Sequence, residues 1–471
     1  MATLGTALHI ATGALNADQA ALSVVSNNVA NANTPGYTRQ VATFEENDPV
    51  TINGQQYGSG VSMVGGESQR DVVLQQALRQ QEQGASASGS RLTALQQVES
   101  IFSQATSAAS GSSGIGIGQD MSDFFGAMSS LESSPASTAL RQQVITTAGN
   151  LAADFQAASS QLASQQVSLD QQTGSLIVQV NRLTESLAQL NTEIESSSPN
   201  SDAGVLEDQR QQDLEQLSNL IGIHQIQTEN NGIEITTSSG ALLMGGGESY
   251  PLSTAMVSGS LHIYDSGGND ITSTLAGGGG QIGGLLTVRN QDIPQMQSAL
   301  DTLAYDLGTA VNAQNQAGSD ANGNPGVAIF NLPGGVAGAA AGISVAITDP
   351  ALVAAAAVGA GSSDDTNLLA MAGLQNQGII AGNTPSSYYS DFVTTLGSLV
   401  SGVSTRNAAQ EAAVSQMRNQ VNSLSSVNLN EEAAALETFE QAYQSASKIF
   451  SVLNTVIAAA LNLGVQTAYS G

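Results

Sequence analysis

Cysteine and tryptophan are absent from this 471-residue chain, lysine occurs once, at Lys448, and aromatic residues make up only 4% of it. Without cysteine there are neither disulfides nor thiolate metal ligands. That permits any compartment, and it suits a chain exported unfolded. Basic residues number 11 against 39 acidic ones, a net charge of −28, so the clustered Lys and Arg that neutralise nucleic-acid phosphates are missing and DNA or RNA is not expected as a partner. The acidity reads as a solvated surface that keeps the chain soluble. Hydrophobic residues are 41% of the sequence, too many for a disordered polymer, and with few rings among them the cores must be aliphatic and Ala-rich. The length allows about three domains of ordinary size.

Long hydrophobic runs are missing too. The most apolar stretch, residues 449–463, is interrupted by Ser451, Asn454, Thr455 and Asn462 and is too short to span a bilayer, so no membrane insertion is expected. No Lys or Arg precedes Arg39, and the cationic start of a secretory signal peptide is therefore lacking.

What the chain does have is periodicity at both ends. Leu4, Leu8, Ala11, Leu15, Leu22, Val25 and Val29 alternate four and three apart as one helical stripe, interrupted at Asp18. The run stops at Asn33-Thr34-Pro35-Gly36, where proline disfavours helix at Thr34 and glycine permits a turn. Near the other end, Leu436, Phe439, Tyr443, Ala446, Phe450, Leu453, Ile457 and Ala460 keep the same spacing without a break. Periodicity leaves open whether the two stripes close one intramolecular bundle or also meet neighbouring subunits.

Between the ends, residues 67–107 and 119–220 read as long bundle helices, for example through Leu176, Val180, Leu183, Leu187, Leu190 and Ile194. The small-residue stretch 107–118 and the segment 196–200, with Pro199, interrupt them. From Ile221 to Gly284 the texture turns to short β-like runs punctuated by Asn231-Gly232 and Gly277 to Gly280. Helical pattern resumes near Gln291 and dominates from Asn367 onward. The expected fold is mainly α with a β-rich insert: residues 1–40 with 425–471 as a terminal coiled-coil-like helical pair, 41–220 with 285–424 as a discontinuous helical body, and 221–284 as one small mid-chain β domain.

Signals for chemistry are weak. His9, His224 and His262 lie on separate elements without metal-ligand spacing. The sole lysine sits inside the last helix, not after a glycine loop, and Gly114, Gly116 and Gly118 lack a third glycine at dinucleotide-loop spacing. There is no GxSxG elbow. Asp320, Asn322 and Asn324 begin like a calcium loop, but Pro325 and Asn331 stand where glycine and a bidentate Glu are needed, so a polar turn is the better reading. No catalytic, cofactor-binding or metal-ligating residue is expected.

Read together, the ends carry a resemblance. Ser26-Asn27-Asn28-Val29-Ala30-Asn31-Ala32-Asn33-Thr34-Pro35-Gly36-Tyr37-Thr38-Arg39-Gln40 is similar to the N-terminal signature of axial flagellar proteins, and its Pro-Gly-Tyr-Thr-Arg ending resembles the hook-associated protein 1 family more than rod or hook subunits. Val427-Asn428-Leu429-Asn430-Glu431-Glu432, followed by Phe439-Glu440-Gln441-Ala442-Tyr443-Gln444, resembles that family's C-terminal signature. Arg70-Asp71, Pro135 with Arg141, Leu206 to Arg210 and Gly318 to Gly326 extend the likeness over nearly the whole chain outside the β insert. Asn430 replaces the usual Asp, Ser426 the usual Gly, and seven residues follow Gly464.

The resemblance implies a non-enzymatic subunit of the hook–filament junction, exported by the flagellar apparatus without a cleaved signal peptide and located outside the cell. It implies as partners further copies of itself, hook protein, hook-associated protein 3 and an export chaperone on the C-terminal helix. Leu4, Leu8, Leu15, Leu22, Val25, Val29, Asn33, Pro35, Gly36, Tyr37 and Arg39, with Leu436, Phe439, Tyr443, Phe450, Leu453 and Ile457, are then the expected assembly interface. The alternatives are another axial protein (hook-associated protein 3, a flagellin or a hook subunit) or a secreted enzyme carried on the flagellum, whose mark would be an HExxH or acid-pair cluster in the insert.

Overall fold

A computed structural model describes residues 2–52, 54–103, 116–197 and 202–468. The N-terminal stripe forms α1 (Ala2–Asn31), which ends where the sequence places its stop. A β extension follows, made of β1 (Gln40–Glu46), β2 (Val50–Ile52), β3 (Gln55–Tyr57) and β4 (Val61–Ser68), with β1 antiparallel to β4 and β2 to β3. The sequence reading placed residues 41–68 in the helical body. They form strands instead, because Pro49, Gly54, Gly58, Gly60, Gly65 and Gly66 break any helical run, and the ribbon lies on α1.

The body begins with α2 (Val72–Ser103), α3 (Ile117–Glu132), α4 (Thr138–Ser197) and α5 (Val205–Leu220). At 60 residues, α4 is roughly 90 Å long and serves both halves of the body. The expected breaks at 107–118 and 196–200 fall largely outside the described residues. The predicted α4 stripe is confirmed in phase: Val180, Leu187 and Ile194 are buried, with Leu176, Leu183 and Leu190 half-buried beside them.

The β segment contains β5 (Ile223–Gln227), β6 (Ile233–Thr237), β7 (Leu242–Gly245) and β8 (Glu248–Ser249) in one antiparallel sheet in that order, then the hairpin β9 (Ser253–Val257) and β10 (Ser260–Tyr264). The turn between β5 and β6 uses Asn230 and Asn231 at φ +56° and +62°, a conformation asparagine tolerates. Short α6 (Thr272–Leu275) leads through Gly277–Gly280 to α7 (Gly280–Thr287). Gly280 has φ +69°, and a Cβ there would fall 2.5 Å from the Ile221 nitrogen, so only glycine lets this loop approach the end of α5.

A π turn over Val288–Asp292 joins α7 to α8 (Ile293–Gln316). Then come β11 (Gly318–Ser319), β12 (Phe330–Asn331), α9 (Ala339–Gly342), β13 (Ser344–Val345), β14 (Ala356–Ala357) and α10 (Thr366–Gly373). Asp320 accepts hydrogen bonds from the backbone N–H groups of Asn322 and Asn324, and Gly323 has φ +81°, which is the polar turn the sequence indicates. Finally α11 (Pro385–Ser425), capped by Thr384 and started by Pro385, runs back along α2, and α12 (Leu429–Ala468) lies along α1.

Two apolar cores result. One gathers Leu95, Phe102, Phe124, Leu151, Phe155, Leu303, Leu368 and Leu396 from α2, α3, α4, α8, α10 and α11. Phe102 meets Phe392 edge-on at 4.9 Å and Phe124 meets Phe330 at 5.7 Å. The other joins Val180 and Leu187 of α4 and Leu217 of α5 to Ile233, Ile235, Leu243 and Ile263 of the sheets. The β segment therefore shares its core with α4 and α5. The scarce arginines tie elements together: Arg91 is bidentate to Asp292 at 2.9 and 2.8 Å, and Arg289 to Asp170 at 2.8 and 3.1 Å.

Candidate assembly interface

The segment Pro35–Gln40 leaves α1, crosses the start of α12 and enters β1, and its side chains knot the two ends of the chain. Gly36, at φ +77°, makes the turn, and a Cβ there would fall on the Gln212 side chain. Gln212 Nε2 in turn donates to the Pro35 carbonyl at 3.0 Å. Asn28 is 1% exposed and bonds in three directions. Its Nδ2 donates to Gln40 O at 2.7 Å and to Glu432 Oε2 at 2.9 Å, while its Oδ1 accepts from Tyr37 OH at 2.8 Å and Gln40 N at 3.0 Å. Every polar atom of this amide is thus matched, which holds the end of α1 in one orientation.

Glu432, also 1% exposed, receives Arg39 Nε on Oε1 at 2.7 Å, and Arg39 Nη1 reaches Glu431 at 2.8 Å. The Arg39 backbone N–H donates to Ser425 O at 2.9 Å, fixing the α11–α12 corner. On the other side of Arg39, Thr38 N donates to Asp208 Oδ2 at 3.2 Å, and Arg70 bridges Asp208, at 2.6 Å, and Glu207 of α5. Burial pushes the Asp208 carboxyl up, against the opposing hydrogen bonds of Thr38 and Arg70. Burial likewise raises the Tyr37 phenol, with the negative Asp208 and Glu432 adding to it, so Tyr37 keeps the proton it donates to Asn28. This knot can fasten and orient helices.

Where α1 packs between α12 and the β1–β4 ribbon the buried apolar residues are small: Ala11, Ala17, Ala21 and Val25 on α1 and Ala446 on α12. The sequence stripe on α1 is therefore shifted slightly in phase. Val25 is buried as expected, whereas Leu4, Leu8, Leu15 and Leu22 flank the seam half-buried, and Val29 is 45% exposed. Small side chains sit at the centre because α1 is approached from two sides, by α12 and by the β1–β4 ribbon. Asp18 is half-buried at this seam, and burial pushes its carboxyl up.

On α12, Phe439, Phe450, Leu453 and Ile457 are half-buried along the seam, in the predicted register, while Leu436 and Tyr443 are 37% and 39% exposed. The register of β1 on β4 shifts at Thr43/Phe44, where Val64 of β4 is the extra residue, and Phe44 comes to 6.1 Å from Phe439, ring centroid to ring centroid. Asn33, Pro35 and Gly36 are exposed, and Tyr37 and Arg39 are half-buried in the knot. The sequence list omitted Asn28, Thr38, Arg70, Asp208, Glu431 and Glu432, although all six belong to segments quoted for the resemblance. It also omitted a second apolar face of α12, where Ile449, Val452 and Val456 are 56%, 62% and 44% exposed.

Comparison with known proteins places this arrangement. The family profile described as the flagellar hook-associated protein FlgK helical domain matches residues 95–330, half of the chain, and that of the flagella basal body rod protein matches residues 8–38, which hold most of α1 and the turn into the knot. Flagellar hook-associated protein 1 of Salmonella typhimurium is 25% identical over 561 aligned positions, covering 97% of this chain and 99% of that protein. The protein of the same name from Bacillus subtilis is 26% identical over 511 positions, covering 97% of each. The solved flagellar hook junction protein FlgK from Burkholderia pseudomallei shares the fold, with a TM-score of 0.66 at 19% identity over 73% of this chain and 99% of that one. The chain belongs to the flagellar hook-associated protein 1 family, structural components of the bacterial flagellum.

Proposed function

We propose that the chain assembles with copies of itself, outside the cell, into the junction between hook and filament, through a terminal unit formed by α1, the β1–β4 ribbon and α12. One observation carries this reading: the knot at Asn28, Arg39 and Glu432 fixes α12 along α1, yet leaves Leu429, Leu436, Tyr443, Ile449, Val452 and Val456 between 37% and 62% exposed. A 40-residue helix with one seam satisfied and a second apolar face open suits a subunit awaiting neighbours. Hook protein and hook-associated protein 3 are the partners proposed on the two sides of the junction, with an export chaperone covering the C-terminal helix beforehand.

The domain division that fits this role keeps 1–40 with 425–471, 41–220 with 285–424, and 221–284, with the 40–68 ribbon transferred to the terminal unit it lies on. A structural rather than catalytic role is supported by the family and by the lack of an HExxH motif in the insert. Among the described residues no helix is long and apolar enough to cross a membrane.

A Leu453→Asp chain tests the reading. It places a carboxylate in the seam that the junction must bury further, and a buried unpaired carboxylate costs several kcal/mol, on the order of 3 to 5. The variant is expected in the culture medium together with unpolymerised flagellin, and absent from isolated hooks. Normal incorporation would remove the terminal seam from the assembly interface.

A further inference from the structure

We infer that the second apolar face of α12, with Lys448, seats on the β1–β4 ribbon of another copy of this chain. The inference rests on the assembly reading above and names the two surfaces that meet. On α12, Ile449, Val452 and Val456 recur three and four apart and are exposed beside the α1 seam. Residues 441–471 contain Lys448 and no Asp or Glu. Lys448 is exposed, and among the described residues it forms no ion pair. By contrast Arg39, Arg70, Arg91, Arg289 and Arg418 are each held by a carboxylate of their own chain.

The ribbon has the opposite character. Residues 40–68 carry Glu45, Glu46, Asp48 and Glu67 and no Lys or Arg, and these four carboxylates form no ion pair among the described residues. Between them Val41, Tyr57 and Val64 are 38% to 64% exposed, while Phe44 packs toward Phe439 of its own chain. Because α1 lies against the ribbon, its outward side is the one open to a visitor.

Charge decides the occupant. Two chains of net charge −28 repel, so they approach where one surface is free of carboxylates and the other is rich in them. The distal half of α12 and the ribbon form such a pair, apolar on both sides, with the chain's one lysine facing its acidic cluster. The apolar contact would supply most of the affinity, and the charges the orientation. Made once between each pair of copies, a contact between two different surfaces is head-to-tail and propagates around an axis, as a junction zone requires.

The absence of native cysteine makes the test clean. Full-length Lys448→Cys and Glu45→Cys chains are expressed together in cells lacking their own copy, and isolated junctions are mildly oxidised. A disulfide needs Cα atoms within about 7 Å, so a mixed dimer reports contact between copies, and neither variant alone should give one. In parallel, Lys448→Glu should lower incorporation at least about fivefold with secretion unchanged, and adding Glu45→Lys and Glu46→Lys to the same chain should restore it to within about twofold. Formed junctions without the mixed dimer, Lys448→Glu incorporated at normal numbers, or charge exchange without rescue each overturn the inference. None of these touches the broader assembly reading, which fails separately if Leu453→Asp chains enter junctions normally.

Discussion

In the helical body Phe124, Phe155, Leu95 and Leu151 are fully shielded from solvent, within a core to which α2, α3, α4, α8, α10 and α11 all contribute. In the terminal unit the fully buried apolar side chains, among the described residues, are Ala11, Ala17, Ala21, Val25 and Ala446. What holds the ends in place there is polar: an asparagine, a glutamate and an arginine, hydrogen-bonded across more than 390 residues of sequence. The contrast teaches how one chain can be a stable subunit and an incomplete one. The body encloses its largest apolar side chains completely. The ends are oriented by directional bonds while much of their apolar surface stays in reserve.

The largest effect should come from the body. Phe124→Ala removes a ring packed against Phe125 and Phe330 and is expected to cost about 3 to 5 kcal/mol in chemical unfolding of the purified chain. A loss below about 1 kcal/mol would mean that this core is not the main source of stability.

Next in size is the knot. Glu432→Ala strips the acceptor from Asn28 Nδ2 and Arg39 Nε, and leaving buried donors unmatched costs about 2 to 3 kcal/mol. The comparison sharpens if that loss is local: faster amide exchange and proteolysis in α12 and residues 36–40, with the main thermal transition unmoved. A fall of the whole transition would instead merge the terminal unit with the body.

Gly36→Ala should be smaller and equally local. Placing a Cβ at φ +77° costs about 1 to 2 kcal/mol, and the new methyl displaces the Gln212 side chain that caps the Pro35 carbonyl. Proteolysis after α1 reads the result, and an unchanged digestion rate would show that the turn is not strained by the substitution.

The smallest effect is electrostatic and belongs to the body. Burial, with Asp154 and Asp123 nearby, pushes the Asp120 carboxyl up to about 6 from an ordinary 3.8. The folded chain therefore binds this proton more tightly than the unfolded one. The resulting destabilisation is fully present above pH 6 and fades as pH falls from 6 toward 3.8. Asp120→Asn should raise the melting temperature slightly at pH 8 and flatten its change between pH 7 and pH 5, a window set by that shift. An unaltered pH profile would contradict the assignment.

How much of this was legible in the sequence follows the same division. Heptad-like spacing revealed α12 and the distal stripe of α4, and the N-terminal and C-terminal signatures pointed to the family, because helices write their buried face along the chain. The ribbon at 40–68 was not legible: with Gly65 and Gly66 in β4 and most positions exposed, it lacks the alternation that marks a half-buried strand. The centre of the α1 seam was missed because it is alanine, and periodicity searches favour the flanking leucines. Glu432 could not be paired with Asn28 and Arg39 before the fold brought positions so distant in sequence together. The open face at Ile449, Val452 and Val456 has helical spacing too, but it lies beside the stripe at Phe450, Leu453 and Ile457, and spacing alone does not separate two adjacent apolar faces on one helix.

The central claim is that α12 holds an apolar face in reserve for assembly, and Val452→Asp tests it most directly, since Val452 is 62% exposed and lies off the α1 seam. The measurement is the number of variant chains in isolated junctions, set beside the melting temperature of the purified chain. The account predicts a melting temperature within about 1 to 2 °C of the parent, as for other exposed substitutions, together with loss of incorporation. Normal incorporation of the variant would contradict it.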